Sequence, residues 1–579
     1  MKIVLSTLNA KYIHSSLALR YLKAYSHHEF PDIEIIEYSI KEPILNLLSD
    51  LYKKNPDVIG FSCYIWNIEE TLSLVQLIKK VMPEVSIVLG GPEVSYDIKY
   101  WLERVKEIDY IVYGEGEHTF HQLLKALEEN RNVSEINGLA YNLKDTFVMT
   151  PPQKKLNLND LPSPYQDDMD IASLRDKIVY FEASRGCPFS CAYCLSSADT
   201  GVRFFGLERV KEDLLKLIKS EVKTIKFVDR TFNINKRFAI EIFRFLIDNN
   251  ISTVFQFEIT ADIMHRDVLQ FLVENAPENL FRFEIGIQST NEYTNSLINR
   301  RQNFKKLSTT VLKLKENKKI DLHLDLIAGL PEEDYASFRK TFNDVFALKP
   351  EELQLGFLKI LRGTQMWREA SKYNYIYMEK APYEIFQNSV LSFADVIKIK
   401  SLEDVLEKYW NSNRMNYTVE YLITHEFETP FDFFQEFGIF WEEMGWNRIG
   451  HQIETLFERL HQFLLVKSIA NIDFVESLMK LDYFLNHNYK PRKTWWEFNI
   501  PKQQQIEYLR ELVDQPELVS DNFAKLNLDE RTIHKHIMIE TSRFDIYSYL
   551  HDGRVREHDT LMIVYYNPPE KPMLFFKTK

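Results

Sequence analysis

Three of the chain's four cysteines, Cys187, Cys191 and Cys194, fall within eight residues, directly after an apolar strand-like run from Val179 to Ser184. Three thiols this close repel one another as thiolates and invite oxidation unless a metal holds them. Spacings of four and three in a short loop let them reach three corners of an iron-sulfur cube and leave one iron without a protein ligand. That open iron is a coordination site for a substrate or cofactor. A structural zinc site needs a fourth ligand to close its tetrahedron. No histidine lies near the loop, and Cys63 belongs to a different part of the chain. The spacing favours iron-sulfur, and the loop's place at a strand end favours a catalytic position.

The rest of the composition narrows the setting. Four cysteines in 579 residues are too few for a secreted disulfide framework. Lys and Arg number 71 against 84 Asp and Glu, a net charge of -13 with the bases scattered, so the chain has no field that would gather bulk nucleic acid. No apolar run approaches the roughly 20 residues that span a bilayer, and Met1-Lys2-Ile3-Val4-Leu5 leads straight into a strand pattern instead of a signal peptide. The expectation is a cytoplasmic protein with no membrane partner.

Periodicity divides the chain into segments. Residues 1–145 alternate continuous apolar strands with helices, the pattern of a doubly wound, Rossmann-like parallel sheet with ligand outside the C-terminal strand ends. Residues 146–172, rich in proline and polar side chains, read as a linker. Residues 173–368 hold six further strand-helix units, beginning at Val179, Thr224, Val254, Phe281, Asp321 and Leu353, which predict a partial (β/α)6 barrel of TIM type. Residues 369–579 are mainly helical and aromatic-rich, with Leu561–Tyr566 and Met573–Phe576 forming a candidate hairpin. Aromatics at this density belong to a core more often than to a cofactor box.

The loop Arg185-Gly186-Cys187-Pro188-Phe189-Ser190-Cys191-Ala192-Tyr193-Cys194 resembles the signature of the radical S-adenosylmethionine (SAM) superfamily, Cys-x3-Cys-x2-Cys with an aromatic residue before the last cysteine, here Tyr193. The resemblance implies a 4Fe-4S cluster whose open iron binds SAM, reductive cleavage to a 5′-deoxyadenosyl radical, and an electron donor such as flavodoxin or ferredoxin. The barrel is similar to the branch that contains the oxygen-independent coproporphyrinogen dehydrogenases. On that likeness Glu258 and Gln288, with Ser289 beside it, fall at ribose contacts, Arg300 at the methionine carboxylate, and Asp325 at a further SAM contact. A carboxylate and an amide accepting from hydroxyls, with a guanidinium for a carboxylate, suit this ligand. The usual Gly-Gly-Glu segment is replaced by Phe227-Val228-Asp229-Arg230-Thr231-Phe232, resembling an Asp-x-x-Phe variant of cobalamin-dependent members, in which Asp229 accepts from the methionine ammonium.

The first domain resembles cobalamin-binding domains in three ordered elements: Ser62, the pair Gly90-Gly91, and the turn Gly114-Glu115-Gly116-Glu117. Their implied cobalamin contacts are Ser62, Gly90, Gly91, Glu115 and Gly116. Where such domains carry Asp-x-His-x-x-Gly, this chain has Ala10-Lys11-Tyr12-Ile13-His14-Ser15-Ser16, which puts His14 one residue away from the lower ligand position. Cobalamin without a protein nitrogen below the cobalt is the expectation. Cys63 reads as a small buried thiol.

Together these features imply an enzyme that makes a substrate radical and uses cobalamin for methylation or another radical modification of a small molecule or peptide. Three alternatives stand beside it. The first is a radical SAM oxidoreductase whose N-terminal domain is a vestigial docking module without cobalt. Transfer-RNA methylthiolation shares the loop but calls for further cluster cysteines and a basic tail. A non-enzymatic iron-sulfur interaction protein would bind a cluster without cleaving SAM.

Overall fold

The computed structural model describes residues 1–144, 146–198, 201–498 and 500–578. The domain limits read at 145 and 579 fall outside them. Two compact units, Met1–Val396 and Ile397–Lys579, make up the chain.

The first unit opens with a seven-stranded sheet of β1 (Ile3–Asn9), β2 (Glu34–Ser39), β3 (Val58–Ser62), β4 (Ser86–Gly90), β5 (Tyr110–Val112), β6 (Leu139–Leu143) and β7 (Thr146–Met149), in the order β2-β1-β3-β4-β5-β6-β7. The first five strands are parallel, while β6 and β7 run antiparallel. Every residue of β1 and β3 is buried. Alternation explains this: Val4, Ile59, Phe61 and Leu89 feed one apolar cluster, while Ile3, Leu5, Val58 and Val88 feed another. The sheet is thus covered on both faces, as continuous apolar strands require. Order reverses between β1 and β3, so the loop after β1, with His14, and the end of β3, at Ser62, flank the crevice where ligands of such sheets bind. The final hairpin carries the sheet through Met149, four residues into the stretch read as a linker.

The second sheet begins with β8 (Ile178–Phe181). A hairpin follows, β9 (Ser184–Cys187) and β10 (Gly201–Phe204), and then β11 (Thr224–Phe227), β12 (Val254–Ile259), β13 (Phe281–Gln288), β14 (Asp321–Ala328) and β15 (Glu352–Phe357). Its six parallel strands lie in the order β15-β14-β13-β12-β11-β8, an open partial barrel with the six strands at the places the periodicity indicates.

The two faces of this barrel differ in chemistry. The helix-facing side is an aromatic seam in which Phe257 lies 4.3 Å from Phe227, 4.5 Å from Phe232 and 5.1 Å from Phe243, ring centre to ring centre. The inner side is polar. Lys226 pairs with Glu284 at 2.7 Å, Gln256 donates to Glu284, Arg282 pairs with Glu352, and His323 meets Asp325 at 3.1 Å and Gln354 at 3.0 Å.

The second unit is helical around buried aromatics. Thr429 caps the helix Pro430–Glu443, accepting from the Asp432 amide, and Phe433, Phe434, Phe437 and Trp441 are wholly buried. A three-stranded antiparallel sheet, Ile537–Phe544, Glu557–Tyr565 and Met573–Thr578, contains the expected hairpin and one strand more. Among the described residues no helix is long and apolar enough to cross a membrane.

Candidate active site

The cysteine loop leaves the C-terminal end of β8 and is fixed from both sides at Ala192, whose N–H donates to the Ile298 carbonyl at 2.9 Å and whose carbonyl accepts from the Met366 N–H at 2.8 Å. Cys187, Cys191 and Cys194 are all free thiols, with Cys191 buried and the others half-buried. Among the described residues no three His, Cys, Asp or Glu side chains stand close enough to hold a single ion. Three corners of an iron-sulfur cube are further apart than the ligands of one ion, so a loop shaped for the cube need not gather its sulfurs around a point.

Arg300 joins this loop. Its guanidinium donates to the Tyr193 hydroxyl at 3.2 Å, lies 3.9 Å from the Cys191 sulfur, and also donates to the Gly286 carbonyl. Arg230, to which sequence reasoning gave no role, pairs with Glu258 at 3.4 Å and feels the charge of Cys194 and Cys187. Burial raises the Glu258 carboxyl above its ordinary range and Arg230 opposes the shift, while Glu284 and Asp325 raise it further. Arg230, Glu258, Asp325 and Glu284 therefore share one electrostatic space at the barrel mouth. Gln288 ends β13 at a positive φ of 70°, beside a register shift, and its buried amide oxygen has no partner. His323 is pulled two ways, since burial lowers its pKa but Asp325 and Glu352 raise it, and the net shift is upward.

Two expected SAM contacts are placed differently. Asp229 is buried, and both of its oxygens are engaged: one accepts from the Ala183 N–H at 2.9 Å, the other from the Ser184 hydroxyl. Burial pushes this carboxyl up to about 7 against those hydrogen bonds. Its visible work is to hold the end of β8 where the cysteine loop begins. The Ser289 hydroxyl turns away from the mouth and donates to the buried Glu333 at 2.5 Å, which also accepts from Thr341 at 2.8 Å.

Burial pushes Glu333 up to about 7 from its ordinary 4.5. Between those values the folded chain keeps a proton that the unfolded chain has released, so this group's contribution to stability falls as pH rises through the window. Glu333→Gln keeps the acceptor for Ser289 and Thr341 and removes the ionisation. It should flatten the pH dependence of the melting temperature and leave the variant up to about 3 kcal/mol more stable than the parent above pH 7. A profile parallel to the parent's would contradict this.

At the crevice of the first sheet, Ser62 is buried and its hydroxyl has no partner. Gly90 has room for more than a hydrogen, since a Cβ there would meet only the Val112 carbonyl, at 3.5 Å. Gly91 has a φ of +108°, and a Cβ would stand 2.5 Å from the Cys63 carbonyl, so chain packing alone already demands glycine. Cys63 is fully buried, and burial pushes its thiol well up. The His14 Nδ1 is 2.9 Å from the Tyr180 hydroxyl of β8, and burial lowers its pKa. Glu115 is paired with Arg203, and Gly116 caps the helix Glu117–Glu128. The crevice therefore presents one unpaired hydroxyl and a glycine shelf, while His14 and Glu115 have partners in the barrel.

Beyond Gly91, the Tyr383 hydroxyl donates to Glu93, and Arg362 pairs with Asp97 at 2.6 Å and stacks on Tyr100 at 3.8 Å. Tyr100, Arg362 and Tyr383 border a cavity of about 280 Å³, which Trp367 and Tyr377 also line. Ala192 and Tyr193 share an apolar cluster with Trp367 and Tyr377, which brings this cavity to the cysteine loop.

The site fits the groups its resemblance implies. Three uncommitted thiols suit a cluster with an open iron. Arg300 and the unpaired Gln288 oxygen suit a carboxylate and hydroxyls, and small residues, Ser62 and Gly90, line the crevice of the first sheet.

Comparison with known proteins agrees. Residues 3–124 match the B12 binding domain, residues 181–345 the radical SAM superfamily, and residues 371–564 a protein family of unknown function, DUF4080. An uncharacterized methyltransferase of Pyrococcus horikoshii is 32% identical over 234 residues, 39% of this chain and 51% of that protein. The cobalamin-dependent radical SAM methyltransferase TokK of Streptomyces tokunonensis is 31% identical over 193 residues, 31% of this chain and 28% of that one. The chain thus spans about half or less of the length of these relatives. In fold it is similar to the cobalamin-dependent SAM radical enzyme OxsB, solved with aqua-cobalamin and SAM, at a TM-score of 0.57 and 17% identity, covering 83% of this chain and 79% of that one. The chain thus carries a B12-binding domain, then a radical SAM domain, and behind them a DUF4080 region.

Proposed function

We propose that this chain methylates, or otherwise modifies by radical chemistry, an unidentified small molecule or peptide. The observation that carries the reading is the free cysteine loop at the barrel mouth, with Arg300 set against both Cys191 and Tyr193. When bound, the cluster and SAM supply a 5′-deoxyadenosyl radical and cobalamin supplies a methyl group.

The chain's own residues bind and orient. Arg300 receives the SAM carboxylate, Glu258 and Gln288 accept from the ribose hydroxyls, and Asp325 stands beside them on the polar inner face. Asp229 and Ser289 act from behind, by holding the ends of β8 and β13. The cavity beside Trp367 and Tyr377 takes the substrate and keeps water from the reacting carbon. In this reading residues 1–145 bind cobalamin, 146–172 link, 173–368 form the SAM barrel, and 369–579 serve the particular substrate. The electron comes from a flavodoxin or ferredoxin, and the setting is the reducing cytoplasm.

Anaerobic reconstitution with iron, sulfide and hydroxocobalamin, followed by reduction with SAM present, should yield both 5′-deoxyadenosine and S-adenosylhomocysteine. A protein with a full cluster that forms neither refutes the enzyme. One that forms 5′-deoxyadenosine but retains no corrin reduces the first domain to a docking module.

A further inference from the structure

We propose that the turn after β5 in the B12-binding domain positions the cluster loop of the barrel, with Glu115 and Glu117 holding the two arginines of the hairpin that carries Cys187. This inference rests on the reading of the three cysteines as cluster ligands.

In the antiparallel pairing of β9 with β10, Arg185 lies directly opposite Arg203, one step from the pair Gly186 and Val202 and two from the pair Cys187 and Gly201. Like charges opposed on a hairpin repel, so the hairpin needs anions between them. Two of the three that it has come from the first domain. Glu115 pairs with Arg203 and lies 3.8 Å from Arg185, Glu117 pairs with Arg185 at 2.6 Å, and Glu182 takes Arg185 at 2.7 Å. Arg185 also lies over the Tyr21 ring, 5.1 Å from its centre, and Arg203 donates to the Leu156 carbonyl at 2.8 Å. The Glu117 side chain is 6% exposed and Arg185 14%. Removing carboxylates from so dry a cluster leaves guanidiniums uncompensated.

Glu115 and Glu117 follow the C-terminal end of β5, at the same end of the parallel strands as Ser62 and Gly90. One turn of the first sheet thus fixes the strand of the first cluster ligand. These glutamates are positioning residues. They act through Arg185 and Arg203.

The test uses the full chain, reconstituted anaerobically with iron and sulfide, and compares the parent with Glu115→Gln/Glu117→Gln, which keeps shape and removes charge. After desalting, iron release to a chelator and the electron paramagnetic resonance of the reduced cluster, with and without SAM, are followed beside a thermal melt. The variant should melt cooperatively, lose iron about 10- to 100-fold faster, and show an altered cluster signal. If it does not fold, Glu115→Gln alone carries the test, since Arg203 keeps its bond to Leu156. A folded variant with parental iron release and an unchanged signal overturns the proposal. A parent that holds its cluster yet does not cleave SAM refutes the proposed function and leaves this inference standing. If the parent holds no cluster, both fall.

Discussion

Replacing Cys187, Cys191 and Cys194 together by alanine should bring bound iron after anaerobic reconstitution to background and abolish 5′-deoxyadenosine formation. Each sulfur is a free thiol on one loop at the barrel mouth. None is in a disulfide, and Arg300, which lies 3.9 Å from the Cys191 sulfur, keeps its bonds to Tyr193 and the Gly286 carbonyl, so the melting temperature should move little. Iron retained by the triple variant would mean that the metal sits elsewhere, and the proposed function would fail with it.

Gly186→Ala should be the most damaging single substitution near the loop. Gly186 has a φ of +101°, and a Cβ there would stand 2.0 Å from the Gly201 carbonyl. The left-handed conformation costs a side-chain-bearing residue roughly 1–2 kcal/mol, and the collision with backbone cannot be relieved by a rotamer change. The β9–β10 pairing must open, which moves Cys187 at its end. We expect a loss of about 2–4 kcal/mol, within the range of the severest point substitutions, together with poor cluster assembly. A Gly186→Ala protein with the parental melt and full iron would show that the hairpin is looser than its geometry.

Much of this arrangement is legible in the sequence because it depends on local spacing. The cysteine loop follows from thiol spacings of four and three, and the doubly wound first sheet and the six barrel strands from apolar runs alternating with helical periodicity. What escaped had partners far along the chain or signals too short to weigh. The strand β7 is four residues long and indistinguishable from linker by composition. Glu115, read as a ligand contact, also pairs with Arg203, 88 residues later. Asp229 is committed to Ser184, 45 residues earlier. Ser289 is the exception, for its signal was present. It shares parity with Phe281, Phe283, Ile285 and Ile287, the helix-facing side, whereas Gln288 shares parity with Arg282 and Glu284 on the inner face. Strand alternation alone separates the two.

The division of the barrel wall between an aromatic outer seam and a charged inner lining bears on how such a protein changes over time. With much of the wall's cohesion in its outer rings, lining residues outside the proposed SAM contacts can be exchanged, as matched pairs, at less cost to the wall. New substrates can then be accommodated at those positions while the scaffold keeps its strength.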